Sequence, residues 1–345
     1  MSLVQIALFV LALLLFLRAF NLISGLRWYN NPRPPGSSVQ VNGRRYYYTL
    51  KGSGSPTIVI EAGLGSASPE WWKIQDELSS FTRVLAYDRA GYGWSEYNPK
   101  ARTSGTIAGE LEALLTTLGI DGALILLGHS EGAMYLDHFA RLHPEKVVGA
   151  VLLDPLSPAE DRFREKLPPH IYRASGVDKI GRTKAHSRLC AFGLLRFLKP
   201  LVKRAAPFSS YKGLSDQTAQ TLWRHLLLPK TYKTMLGEYR EAQKVVNGEV
   251  LKKSGSFPQV PVKVLYHSPE RMIDEIVRGS GLGRDDAERV ERLWQEWVRD
   301  SLSLSPESEW IVAGSSGHFI HLDAPGVVLE AVEKLLDRIG KTKRG

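Results

Sequence analysis

The stretch "ALILLGHSEGAMY", residues 123–135, places a serine between two glycines at the end of an apolar run. The apolar residues predict a buried strand, and the residues after Gly132 predict the start of a helix. Gly-x-Ser-x-Gly between a strand and a helix indicates a nucleophile elbow, a tight and strained turn that lifts the serine hydroxyl above the sheet edge. A side chain at Gly128 or Gly132 would collide with neighbouring elements. Ser130 is therefore the candidate nucleophile, since a helix N-cap alone would not require both glycines.

A serine nucleophile needs a general base, and the last loop of the chain offers two histidines. His318 lies in "SSGHFIHLDAP" (315–325), directly after the final predicted strand. This loop opens onto the sheet edge that carries Ser130, so His318 is the candidate base and His321 is its competitor. His129, beside the nucleophile, is expected to pack or hydrogen-bond below it.

The base needs a carboxylate that orients it, and two residues qualify. Asp154 ends the predicted strand "VVGAVLLD" (147–154), and Glu270 follows the next predicted strand in "YHSPE" (266–270). We favour Asp154, because it directly ends a strand whereas Glu270 follows a proline in the charged segment "PERMIDE". The oxyanion donors are expected to be the backbone N–H groups of Leu64 and Glu131.

Strand and helix patterns alternate on both sides of a long interruption, which predicts an α/β fold with a mostly parallel central sheet flanked by helices. The interruption is rich in helix patterns and carries 20 Lys and Arg against 8 Asp and Glu, although the whole chain has a net charge of +9. We interpret it as a basic helical lid inserted into the core. The predicted organisation is a transmembrane anchor (1–25), a linker (26–38), the first part of the α/β core (39–155), the lid (156–260) and the second part of the core (261–340).

The N-terminal segment is apolar from Leu3 to Ile23 except for three residues, which is long enough to cross a bilayer as a helix. No Lys or Arg precedes the run and no clear cleavage site follows it, so an uncleaved anchor is favoured over a signal peptide. Arg18 lies near the end of the run, and Arg27, Arg33, Arg44 and Arg45 follow it. This one-sided placement predicts a single-pass protein with its catalytic domain in the cytoplasm.

Composition excludes several classes of site. The single cysteine, Cys190, cannot form an internal disulfide or a cysteine-rich metal centre. The basic excess is confined to one internal segment without a nucleic-acid motif, so an anionic membrane surface or an acidic ligand is a better interpretation than nucleic acid. We expect no cofactor and no metal, and the sequence leaves the oligomeric state open.

Five motifs, in order across residues 39–339, resemble those of the α/β-hydrolase superfamily, in its serine hydrolase branch with a helical lid. They are "EAGLG" (61–65), "YDRAGYGWS" (87–95), "GHSEG" (128–132), "LLDP" (152–155) and "GHFIHLDAP" (317–325). The resemblance implies that Ser130 is the nucleophile. It also selects His318 over His321, because the family's histidine usually stands seven residues before a proline, here Pro325.

The resemblance leaves the acid open between two patterns. Many members carry it about nine residues beyond a proline, a count that leads from Pro261 to Glu270. Members similar to haloalkane dehalogenases place it at the end of the strand before the lid, which is Asp154. Dehalogenases and epoxide hydrolases use an aspartate nucleophile where this chain has Ser130, so their chemistry is disfavoured.

The favoured function is hydrolysis of a carboxylic ester through an acyl-enzyme on Ser130. The anchor and the basic, apolar lid suggest a lipidic ester, and a small-molecule ester is the alternative substrate. Amide or peptide hydrolysis, as in proline iminopeptidases, and acyl transfer would use the same residues. A ligand receptor with little turnover is the alternative outside enzymes.

Overall fold

The computed structural model describes residues 2–30, 35–156, 161–177, 180–198 and 210–342. Within these residues the chain forms one eight-stranded sheet in the order β1-β2-β4-β3-β5-β6-β7-β8. The strands are β1 (Ser37–Val41), β2 (Arg44–Lys51), β3 (Thr57–Glu61), β4 (Val84–Tyr87), β5 (Leu124–His129), β6 (Val147–Leu153), β7 (Val262–Tyr266) and β8 (Ser308–Val312). β1 and β2 form an antiparallel hairpin at one edge, and β2 also pairs with β4 in the antiparallel direction. The remaining pairings, β4-β3-β5-β6-β7-β8, are all parallel. The predicted α/β fold is confirmed.

The central strands are apolar at nearly every position because helices cover both faces of the sheet. Successive side chains of a strand point to opposite faces. Leu126 of β5 therefore packs in the cluster that contains Phe139, and its neighbour Leu127 packs in the cluster that contains Trp71 and Leu335. The two clusters form the two halves of the core, one on each side of the sheet.

The helices account for most of the remaining described residues. They are α1 (Leu3–Asn30), α2 (Trp72–Leu78), α3 (Ser104–Thr117), α4 (Glu131–Leu142), α5 (Asp161–Lys166), α6 (Pro169–Ala174), α7 (Ile180–Ala191), α8 (Asp216–His225), α9 (Pro229–Ala242), α10 (Val245–Lys253), α11 (Pro269–Ser280), α12 (Arg284–Arg299), α13 (Ile320–Asp323) and α14 (Pro325–Thr342). Of these helices, α11 begins in the charged segment that contains Glu270. Ser268 accepts a hydrogen bond from the N–H of Arg271 and Pro269 occupies the first turn, and both features favour a helix start there.

The predicted lid is rich in helix, since α5 to α10 all lie between β6 and β7. The other described residues of the lid, including 254–260, are 3₁₀ helix, turns and irregular structure. A short 3₁₀ helix (Leu194–Leu198) follows α7. Residues 157–160, 178–179 and 199–209 of the predicted lid lie outside the described residues. The limits 156 and 260 remain predictions.

The N-terminal helix α1 contains a stretch, Leu3–Gly25, with a mean hydropathy of 2.5. Its length and composition suffice for a membrane span, and a signal sequence has the same two properties. The helix continues to Asn30 and β1 begins at Ser37, so regular structure covers much of the predicted linker 26–38. Residues 31–34 of that linker lie outside the described part of the chain.

Candidate active site

Four neighbouring strands bring their carboxyl ends to one edge of the sheet. Ser130 follows β5, Asp154 follows β6, His267 follows β7, and the loop with His318 follows β8. These strands pair in this order and in parallel. The carboxyl edge of a parallel sheet is where open α/β proteins place their sites. The topology therefore gathers these side chains although up to 188 positions separate them along the chain.

The backbone at Ser130 is strained, with φ 54° and ψ −123°. L residues rarely adopt this conformation, which costs about 1–3 kcal/mol and persists only where the surroundings enforce it. Both glycines of the motif sit in close contacts: a Cβ at Gly132 would lie 2.5 Å from the carbonyl oxygen of Glu61, and a Cβ at Gly128 would lie 2.9 Å from Cα of Ala133. The turn therefore has the tight geometry expected of a nucleophile elbow.

His318 bridges the serine and Asp154. Its Nε2 lies 3.1 Å from Oγ of Ser130, and its Nδ1 donates a hydrogen bond to Oδ2 of Asp154. Ser130 is buried, whereas 16% of the His318 side chain is exposed. With Nδ1 protonated, Nε2 presents a lone pair to the hydroxyl, which is the arrangement of a general base beside a nucleophile.

The two carboxylates considered for the acid lie in different surroundings. Asp154 is buried, and its own φ of 44° turns it out of the strand toward the histidine loop. Glu270 lies in the first turn of α11, is exposed, and forms a salt bridge with Arg284. His318 contacts the carboxylate of Asp154. Glu270 is not brought to the site.

His321 packs away from Ser130. Its ring stacks on Trp71 with centroids 4.1 Å apart and an angle of 5° between the planes, and Nε2 lies 3.4 Å from a carboxylate oxygen of Glu70. His129 is also buried, and its Nε2 donates to the carbonyl oxygen of His318 at 2.9 Å. Burial and the adjacent histidines hold the pKa of His129 well below its usual value, so this ring is neutral and supports the loop of His318.

A second histidine, His267, contacts the same oxygen of Asp154, and the sequence analysis did not single it out. Its Nδ1 lies 2.8 Å from Oδ2, and on the other side of the ring Nε2 lies 3.1 Å from Glu291 of α12. Trp294, one turn further along α12, donates from Nε1 to Oδ1 of Asp154 at 3.3 Å. The sequence could have identified His267 by its position, because it directly follows a strand at the sheet edge where the other site residues lie.

Asp154, His267 and Glu291 form a buried row of hydrogen-bonded side chains, and each neighbour affects the pKa of the next. Burial opposes the charging of His267, but the carboxylates of Asp154 and Glu291 outweigh it and raise its pKa to about 10. Burial likewise opposes ionisation of Asp154, yet the two histidines hold its pKa well below its usual range. Asp154 is thus an ionised carboxylate at neutral pH, hydrogen-bonded to an imidazolium on one side and to the base on the other.

Asp154, His267 and His318 present ligand atoms within 4.8 Å of one another, a spacing that a metal ion could use. In this structure, hydrogen bonds from the Nδ1 atoms of both histidines join on one Asp154 oxygen. A cation could enter only by displacing the protons of these bonds. The geometry is that of a hydrogen-bonded row, and a metal would compete with it.

The glycine loop after β3 lies against the nucleophile. A Cβ added to Gly63 would lie 3.4 Å from Cβ of Ser130. Arg89 donates to the carbonyl oxygen of Ala62 and, at 3.0 Å, to that of Gly63. In a trans peptide the C=O and N–H bonds point in opposite directions, so holding the Gly63 oxygen also fixes the direction of the Leu64 N–H. Arg89 therefore sets the orientation of one of the two predicted oxyanion donors.

Arg89 is itself held by two buried carboxylates, one from the core and one from the predicted lid. It pairs with Glu61 at 2.6 Å and with Glu238 of α9 at 3.1 Å, and all three side chains are at most 2% exposed. Tyr92 donates to Glu238 at 2.6 Å, and Arg102 lies 3.5 Å from it. Burial opposes the charge on Arg89, but Glu238 and Glu61 raise its pKa well above the usual value, so the cluster is ionic.

Glu131, the residue after the nucleophile, has a buried side chain as well as a backbone N–H at the elbow. After burial itself, its carboxylate is the largest influence that raises the pKa of Tyr135. Arg89 lies over the ring of Tyr135, 5.1 Å from its centroid. The Glu131 carboxylate is therefore buried near Tyr135, while its backbone N–H belongs to the first turn of α4. The sequence analysis gave no reason for a glutamate at this position.

A model of the alpha/beta hydrolase family matches residues 58–331. The chain belongs to this family. The match covers β3 to the middle of α14, so it includes every residue of the site described above.

Proteins of Bacillus subtilis and Gibberella zeae are similar to this chain over most of its length. The uncharacterized protein YqjL of Bacillus subtilis is 26% identical, with 82% of this chain and 84% of that protein aligned. An AB hydrolase superfamily protein of Gibberella zeae is 25% identical, with 81% of this chain and 86% of that protein aligned. Among solved structures, an esterase from Thermogutta terrifontis matches with a TM-score of 0.60 at 18% identity, over 89% of this chain and 99% of that one. The epoxide hydrolase CorEH matches with a TM-score of 0.64 at 19% identity, over 88% of this chain and 99% of that one. These two likenesses show the fold.

Proposed function

We propose that this chain is a serine hydrolase that cleaves carboxylic esters through an acyl-enzyme on Ser130. The observation that carries the proposal is the contact of His318 with both Ser130 and Asp154 at a strained elbow. An ionised, buried carboxylate holds Nδ1 protonated and leaves Nε2 as the basic nitrogen. Epoxide hydrolases of this fold use an aspartate nucleophile, and Ser130 at that position supports acyl chemistry instead.

The proposed reaction follows from these roles. Nε2 of His318 takes the hydroxyl proton as Oγ of Ser130 attacks the ester carbonyl. The negative charge that develops on the carbonyl oxygen is stabilised by the backbone N–H groups of Leu64 and Glu131. The same histidine then returns the proton to the departing alcohol, and a water molecule releases the acyl group by the reverse route. Asp154 stays ionised throughout and stabilises the imidazolium of His318.

The proposed substrate is a lipidic ester, and the proposed location is the cytoplasmic face of a membrane. The support is the apolar stretch Leu3–Gly25, the arginines that follow it and the basic character of the lid. An enzyme held at a bilayer meets esters that are poorly soluble in water. Shortening the chain to begin at Arg27 should release a soluble enzyme that keeps its activity on short esters.

The test uses a series of p-nitrophenyl esters of increasing acyl length and a fluorophosphonate probe for active serines. Ser130→Ala should abolish labelling and lower kcat on the order of 10⁴–10⁶-fold. Ser80→Ala, which removes an exposed serine hydroxyl, is the matched control and should leave both unchanged. Substantial activity in Ser130→Ala would overturn the proposal. Faster turnover of the matching p-nitroanilide would assign the chain to amide hydrolysis, and labelling without turnover would assign it to a receptor.

A further inference from the structure

A cavity of about 250 Å³ lies where the end of the N-terminal helix meets the lid. Two guanidinium groups and two leucines face it, together with two small residues of α1. Its lining is Ser24, Gly25, Arg196, Arg224, Leu227 and Leu228. A basic wall beside an apolar wall suits a ligand that carries an anionic group and a hydrocarbon part.

The walls of this cavity are held together by buried polar contacts. Asn21 of α1 is 2% exposed and donates to the carbonyl oxygen of Cys190 in α7 at 2.7 Å. Arg196 donates from Nε to Oδ1 of Asn21 at 3.0 Å and from Nη2 to the hydroxyl of Ser24. Gly193 leaves no room for a side chain, since a Cβ there would lie 2.9 Å from the carbonyl oxygen of Leu17. The end of α1 is therefore docked on the lid, and Arg196 has a fixed place in the cavity.

The exposed surfaces place the cavity at the boundary of a bilayer. Apolar side chains of the first half of α1 are exposed, including Phe9 (64%) and Phe16 (65%). The 23 residues from Leu3 to Gly25 span about 35 Å as a helix, against about 30 Å for a hydrocarbon core. Ser24 and Gly25 then lie at the depth of the lipid headgroups. Phe197, 67% exposed and adjacent to Arg196, is an aromatic side chain of the kind that anchors proteins at this depth.

We propose that this cavity binds the phosphate group of an anionic membrane lipid, with Arg196 and Arg224 as its partners and Leu227 and Leu228 beside its acyl chains. The site rests on the proposed membrane anchor and is independent of the hydrolase chemistry. The excess of basic over acidic residues in the lid favours the same ligand. A bound lipid would join α1 to the lid and hold the lid against the membrane surface.

The experiment measures lipid binding to the full-length protein in detergent micelles by native mass spectrometry. The protein carries Ser130→Ala throughout, so that no lipid is consumed and failure of the esterase proposal cannot affect the result. The probes are dioleoyl phosphatidylglycerol, dioleoyl phosphatidylcholine, dioleoylglycerol and inorganic phosphate. We expect the native cavity to prefer phosphatidylglycerol over the neutral dioleoylglycerol and over phosphatidylcholine.

Arg224→Gln removes the guanidinium of an exposed residue that lines the cavity, and Arg240→Gln removes that of another exposed arginine, on α9, that does not line it. Loss of one charge-assisted hydrogen bond, about 1.5–3 kcal/mol, predicts about 10–100-fold weaker binding of phosphatidylglycerol in Arg224→Gln alone. Arg196→Lys, which keeps the charge, should bind more tightly than Arg196→Gln. Equal losses in the Arg224 and Arg240 variants, or equal binding of anionic and neutral lipids, would overturn the proposal. Inorganic phosphate that displaces the lipid at comparable concentration would assign the site to a soluble phosphate and would also overturn it.

Discussion

Replacing His267 by asparagine tests how the positive charge of His267 affects the base, His318, through their shared partner Asp154. The asparagine amide can donate a hydrogen bond from about the position of Nδ1, so Asp154 keeps a donor there. The positive charge is lost, and so is the contact with Glu291. His318 keeps its bond to Asp154, and Trp294 still donates to the other carboxylate oxygen. The variant therefore changes the field at the base more than its geometry.

The size of the effect follows from the distances. The ligand atoms of Asp154, His267 and His318 lie within 4.8 Å of one another. Two unit charges at about 4.8 Å interact by about 3.5 kcal/mol at an effective dielectric constant of about 20, which corresponds to about 2.5 pKa units. The Glu291 carboxylate lies 3.1 Å from the far nitrogen of His267, and burial already raises its pKa. Without the imidazolium this carboxylate is expected to take up a proton, so the variant loses an anion together with the cation, and the two effects on His318 partly cancel. We expect a net shift of about one pKa unit for the base.

The assay is the pH dependence of kcat/KM on a soluble ester, whose acidic limb reports protonation of the base in the free enzyme. Loss of the neighbouring cation makes His318 easier to protonate, so the acidic limb should move to higher pH in His267→Asn. His138→Asn is the matched control, because His138 is a buried histidine that bonds to the hydroxyls of Ser104 and Ser254 instead. An acidic limb that stays in place, or moves to lower pH, in a folded His267→Asn protein would refute the electrostatic role.

Three further predictions concern the same site. Asp154→Asn should lower kcat about 10⁴-fold on a p-nitrophenyl ester while Glu270→Gln stays near the native rate, and the opposite ranking would reverse the choice of acid. Arg89→Lys loses the fork that holds the Gly63 carbonyl, so kcat should fall by as much as the loss of one oxyanion donor, about 10²–10³-fold, with the melting temperature as the check that the protein is folded. Because folding raises the pKa of His267 from 6.5 to about 10, its stabilising contribution is complete below about pH 6.5 and is lost as the pH rises through 10; urea unfolding across this range should show the loss in the native protein and not in His267→Asn.

The parts of the fold and site that the sequence predicts are those with local signals. Apolar runs of four to seven residues mark the buried strands, and the elbow at Ser130 has a glycine on each side because the backbone leaves no room there. The parallel order of the strands then places every residue that follows one of them at a single edge. This reasoning was enough to bring Ser130, Asp154 and His318 together, and their catalytic roles await the variants described above.

The parts that could not be predicted depend on contacts between distant side chains. Both candidate acids follow neighbouring strands, and the choice depends on the direction of the side chain, which the positive φ of Asp154 sets. His267 meets Glu291 only because α12 packs against β7, and no local pattern states which face of that helix carries a buried carboxylate. The pairing of Arg89 with Glu238 joins residues 149 positions apart. Charged residues in a helix pattern are normally solvated, so such pairs become visible only in the packed structure.

The pairing of Arg89 with Glu238 also affects the order in which the molecule can be assembled. The core strands from β3 to β6 leave the ribosome well before Glu238, and until then Arg89 lacks one of the two carboxylates that pair with it. Removing one partner from a buried ion pair typically costs about 3–5 kcal/mol, which is a large part of the stability of a domain. The first half of the core is therefore expected to stay incompletely folded until α9 has been synthesised. A chimera that exchanges this insertion for that of another hydrolase would need a carboxylate at the place of Glu238. Without it, Arg89 would stay buried with one of its two carboxylate partners missing.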